Sequence, residues 1–143
     1  MIHKKEFDYT PHDSELEKAS NGYVMSLIAV MVGLPLPIIN LIATFIFFMG
    51  QRKSTYFVRW HTTQALLSQF SLFVMNVVAF RWTIYIVFQD GSVSNLYVAY
   101  LLTVFLYNLT EFIATIYTAV KIRKGQHLEW FFYGPLTHEF VKS

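Results

Sequence analysis

Cysteine is absent from the chain, which excludes a disulfide framework, a thiolate metal site and a cysteine nucleophile together. Charge is scarce as well: 14% of the 143 residues are Asp, Glu, Lys or Arg, against about 25% in an ordinary soluble domain. Residues 21–51 carry no charge, and residues 62–120 carry only Arg81, Asp90 and Glu111. Such stretches are fit for lipid. The formal net charge of +2 is too small to argue for nucleic acid. Catalytic signatures are missing too: no glycine-rich phosphate loop, no HExxH pair and no GxSxG elbow. The chain therefore reads as a non-enzyme with no cofactor and no metal. His12, Asp13 and Glu15, His127 with Glu129, and His138 with Glu139 are the nearest approach to a ligand set, and they read as solvated groups on exposed termini.

What is present is apolar: 55% of the residues are hydrophobic. The expected class is all-α, a small polytopic helical membrane protein with about three transmembrane segments, over residues 22–49, 60–88 and 96–120. Residues 1–20 read as a polar N-terminal segment, with Asp13 or Ser14 capping a short helix, and residues 21–143 as a single membrane domain. The first apolar run lacks the basic start and cleavage site of a secretory signal, so it is expected to be retained. It is also interrupted. Gly33, Pro35 and Pro37 fall at its centre, where proline removes a helical hydrogen bond and clashes with the preceding turn. Each half is too short to span the roughly 30 Å hydrocarbon core, so the segment either crosses with a kink or re-enters and returns to its own face.

A short QDGSVSN turn joins the second and third segments, which should pair antiparallel. Lys and Arg concentrate at residues 52–59 and at Lys121, Arg123 and Lys124. By the positive-inside rule the 52–59 loop and the tail 121–143 face the cytoplasm. Trp130, Phe131 and Tyr133, beside a basic cluster, are expected to anchor that tail in the headgroup layer.

Polar residues within the apolar segments are the candidate functional groups. His61, Gln64 and Ser68 share a helical face that starts beside Arg59, and Thr62, Gln69 and Asn76 form a second stripe. They serve either a wet cavity or partner groove, or interhelical hydrogen bonding. Glu111 lies near the midplane, where an ionised carboxylate is costly. Gln64 and Gln69 are expected at similar depth as its donors, Asn108 one turn earlier extends the face, and Arg81 is the candidate counter-charge. Asn108-Leu109-Thr110 matches a glycosylation sequon but lies inside the third segment.

The order of these features carries a resemblance. Phe57, Arg59, His61, Gln64, Ala65 and Leu66, in FVRWHTTQAL, with the broken GLPLPIIN segment before them and the KGQHLEWFFYGPL tail after them, resemble a bacterial membrane-protein family of unknown function. That family is related to the Tic component of the chloroplast inner-envelope import machinery and includes magnetosome membrane proteins affecting crystal size. The resemblance covers about residues 20–140. It implies a non-enzymatic integral subunit of a larger complex in the bacterial inner membrane, concerned with protein translocation, insertion or membrane organisation. Two alternatives stand beside it: a small oligomeric channel or transporter with a path near Glu111, and an anionic-lipid-binding protein. The partners expected are membrane lipids, other integral membrane proteins and further copies of the chain.

Overall fold

The computed structural model describes residues 2–33, 37–89 and 91–141, and its elements run β1 (Ile2–Lys5), α1 (Asp13–Gly33), α2 (Pro37–Gln51), α3 (Tyr56–Phe88), α4 (Asn95–Arg123), β2 (His127–Trp130) and α5 (Tyr133–Phe140). Five helices among the described residues, two of them long and apolar enough to cross a membrane, make this the expected all-α architecture. At 1.5 Å per residue, α3 and α4 are about 50 and 44 Å long, more than the hydrocarbon core requires.

The first apolar stretch folds back on itself. α1 ends at Gly33, and α2 begins with Pro37 in its first turn, where a missing N–H is harmless. Pro35 lies outside the described residues. A methyl group added to Gly22, eleven residues before the end of α1, would lie 3.4 Å from the ring of Phe47, ten residues into α2, and 3.3 Å from Thr62 of α3. That contact requires an antiparallel α1–α2 hairpin, with α3 running parallel to α1.

The N-terminal residues are held by that arrangement. His12 donates its backbone N–H to Glu15 at 2.8 Å, and Tyr9 donates to the same carboxylate at 2.7 Å. The back-reaching acid of a capping box thus starts α1 in place of Asp13 or Ser14, and the helix runs unbroken into the apolar stretch. β1 pairs antiparallel with β2 in the register Ile2↔Trp130 and Lys5↔His127. Both termini therefore lie at the end of the molecule that holds the α2–α3 loop.

α4 begins with Ser94 accepting from the Tyr97 N–H at 3.1 Å. It ends in a Schellman motif: Gly125 takes φ 88°, its N–H bonds the Ile122 carbonyl at 2.9 Å, and Gln126 bonds the Lys121 carbonyl at 3.1 Å. This reversal turns β2 back over the helix ends. The core lies there, built from Leu16, Tyr23, Phe57, Ile122, Trp130 and Tyr133. Ser20 donates to the Ala119 carbonyl at 2.9 Å, a close approach that small residues permit. Further along α3 and α4, Phe70, Val74, Val78, Leu102, Phe105 and Leu109 are exposed, which suits lipid.

Candidate functional site

The FVRWHTTQAL stretch opens α3, and every third or fourth residue of it points under the tail. His61, Gln64 and Ser68 are buried; the first two share Tyr23 and Ser68 meets Glu111. Gln64 Nε2 donates to the Tyr23 hydroxyl at 2.6 Å and to the Leu128 carbonyl at 3.3 Å, while its Oε1 accepts from the Trp130 N–H at 3.0 Å. One amide thus ties α1 and β2 to α3. Tyr23 meets His61 Nδ1 at 3.1 Å, His61 Nε2 meets His127 Nδ1 at 2.9 Å, and His127 Nε2 meets Glu129 Oε1 at 3.1 Å. From the other side Trp60 donates to His138 Nδ1 at 3.3 Å, and His138 Nε2 meets Glu129 Oε1 at 3.0 Å. Lys5 completes the set at 2.9 Å from Glu129 Oε2.

Donor inventory fixes the direction of this chain. Gln64 and Trp60 offer only N–H groups at these contacts. Tyr23 therefore accepts from Gln64 and spends its single proton on His61, so that His61 and then His127 each accept on Nδ1 and donate from Nε2. His138, accepting from Trp60 on Nδ1, also donates from Nε2. Glu129 is the common acceptor. Burial alone would raise the Glu129 carboxyl, but hydrogen bonds from Lys5, His138 and His127 hold it down at about 2. Burial pushes His127 below the usual histidine range, and its bond and attraction to Glu129 offset only part of that.

A second network lies deeper. Glu111 is buried and accepts from Ser68 on one oxygen and from Tyr133 on the other at 3.2 Å. Tyr133 is linked to Tyr107, and Tyr107 to Ser71, each at 2.6 Å. Beyond it Asn76 and Asn108 exchange amide bonds at 3.1 and 2.8 Å, and Thr83 meets Tyr97 at 2.7 Å. These rungs join α3 and α4 antiparallel along most of their length. Asn108, bonded to Asn76 and to the Val104 carbonyl, is a packing group.

Several expectations are corrected. Gln64 and Gln69 do not donate to Glu111. Gln64 is consumed by Tyr23 and β2, and Gln69 turns off that face, its buried Oε1 without a hydrogen-bond partner among the described residues. Arg81 is no counter-charge to Glu111: it is exposed and lies 13 residues along α3 from Ser68, about 20 Å at helical rise. Trp130 and Tyr133 are not headgroup anchors, because both are buried, Trp130 with its indole N–H on Thr118 at 2.8 Å. Only Phe131 of that trio is outward, 72% exposed. His127 and Glu129, read as solvated, are buried. Arg59 is half-buried and offers its carbonyl to Thr62 and Thr63.

Sequence reasoning missed Tyr23, Lys5, Tyr107, and the role of His127, Glu129 and His138. The one available signal was alternation in His127-Leu128-Glu129-Trp130 after a glycine helix stop, which suits a short strand. Among the described residues no group of three or more His, Asp or Glu is placed to hold a metal ion. The imidazoles at Glu129 are instead hydrogen-bond donors, and the arrangement chemically couples the tail to three helices.

Comparison with curated proteins and with solved structures gives no match. Residues 19–141, which hold both networks apart from Lys5, match the model of the magnetosome magnetite crystal formation protein family, and the chain belongs to that family.

Proposed function

We propose that the chain is a non-catalytic integral membrane subunit that takes part in forming a magnetite crystal, acting by organising the membrane and its partners around the mineral. Membership of its family supports the setting. The observation that carries the mode of action is the self-satisfied polar ladder. At membrane depth Ser68, Ser71, Asn76, Thr83, Asn108 and Glu111 all bond within the chain, leaving an apolar exterior for lipid or for other membrane proteins. A polar group already paired in this way adds rigidity to a helix pair. Glu111 borders a cleft of about 300 Å³ lined also by Ser71 and Phe132, yet both its oxygens are engaged, which favours packing over a conducting path. Protein translocation draws no support from the family description. The basic residues at 52–59 and 121–124 support a cytoplasmic position for the end that carries both termini.

The test is genetic and morphological. In a magnetite-forming cell deleted for this chain, the wild type and Glu111→Gln should both restore crystal dimensions in electron micrographs, whereas Gln64→Leu, which strips the tail of its main tie, should not. A Glu111→Gln protein that accumulates in the membrane but leaves crystals as in the deletion would overturn the non-catalytic, non-conducting reading.

A further inference from the structure

A groove runs between α2 and α3 from the polar end of the molecule toward the hairpin tip. Its mouth is a cleft of about 390 Å³ bordered by Arg52, Arg59, Thr63 and Phe140. Its inner part is a cleft of about 420 Å³ bounded by apolar side chains alone, Leu41, Ile42, Phe45 and Phe70 among them. Leu66 and Leu67 line both, so the two are continuous. Along α3, Arg59 to Phe70 is 11 residues, about 16 Å at helical rise, which is close to half of the roughly 30 Å hydrocarbon core. The groove is thus as deep as one leaflet.

We infer that this groove seats one anionic phospholipid, its phosphate between Arg52 and Arg59 and one acyl chain along Leu66, Leu67 and Phe70. Charge complementarity points to this occupant. Neither guanidinium forms an ion pair or a side-chain hydrogen bond among the described residues, although Arg59 is half-buried. Guanidinium matches a phosphate's oxygens in a planar fork, and none of the described residues that border the mouth is an Asp or Glu that would compete. A zwitterionic lipid would bring its own cation against the two arginines, and an apolar partner helix would leave both charges uncompensated. The seat stands on groove geometry, whatever the role of the chain in crystal formation.

The test uses the full chain purified from membranes, stripped in detergent, exposed to phosphatidylglycerol or phosphatidylcholine, and weighed intact by native mass spectrometry. The wild type should retain one phosphatidylglycerol and little phosphatidylcholine. At about 1 kcal/mol per basic residue near an anionic surface, Arg52→Gln should weaken retention about fivefold and the Arg52→Gln/Arg59→Gln pair at least tenfold. Leu67→Trp should block the chain with both arginines in place, and Lys121→Gln/Arg123→Gln should change nothing. Arg52 is exposed in a loop, so its variant keeps the test valid should the double variant misfold. Equal retention of the two lipids, retention unchanged in Arg52→Gln, displacement by inorganic phosphate alone, or a dimer mass indifferent to phosphatidylglycerol would each overturn the seat.

Discussion

Glu129 gathers three donors at the protein's polar end: two imidazoles on one oxygen and an ammonium on the other. His127 serves it best while neutral, because a second proton on its Nδ1 would face the His61 N–H. The linkage signs agree. His127 is depressed below its ordinary value, so the unfolded chain takes up that proton first and stability falls as pH drops below about 6.5. Glu129, at about 2 against 4.5, adds a loss that begins near 4.5 and continues toward 2. Thermal unfolding followed by circular dichroism in detergent should give a Tm that declines from pH 6.5 downward and more steeply below 4.5, with the lower limb flattened in Glu129→Gln. A Tm independent of pH between 7 and 4 would contradict the network. Gln64 is the other critical residue. Gln64→Leu leaves the Tyr23 hydroxyl oxygen and the Leu128 carbonyl without their donor and the Trp130 N–H without its acceptor, and should cost about 2–4 kcal/mol.

Among the elements, the termination of α4 and its pairing with α3 yield separate tests. Gly125→Ala puts a Cβ into the left-handed region and should cost about 1–2 kcal/mol, read as a lower Tm without loss of helix signal. Replacing Asn76 and Asn108 by Leu, singly and together, should return a coupling of about 0.6–2 kcal/mol; additive effects would mean the amide pair contributes nothing. The helices themselves were legible in the sequence, because lipid-facing length and charge segregation are local properties of a chain. The break at Gly33 and Pro37 was legible for the same reason, though its sense, crossing or returning, depended on Gly22 meeting Phe47. Of the strands only the His127–Trp130 alternation left a signal. Residues 2–5 and 127–130 form a sheet only because they meet, and Glu111's donors, one from α3 and one from the tail, follow from a helix rotation that spacing alone leaves free.

At the scale of the molecule, the proposed membrane arrangement predicts residues 3, 53 and 139 on one face of the membrane and residue 93 on the other. The absence of cysteine makes this directly measurable. His3→Cys, Lys53→Cys and Glu139→Cys, each exposed, should react with an impermeant maleimide from the same side of oriented vesicles, and Val93→Cys only from the opposite side. Reaction of His3→Cys from the Val93 side would mean that the first segment crosses. A hairpin that returns has a geometric corollary for the bilayer. In the proposed arrangement four helices occupy the half of the membrane nearest the termini and only two reach through the other half. At 10–12 Å per helix diameter, the extra pair displaces roughly 160–220 Å² from one leaflet alone. Each copy placed in this way is a wedge, and a patch of many copies is expected to bend the bilayer outward toward the side that carries the two ends of the chain.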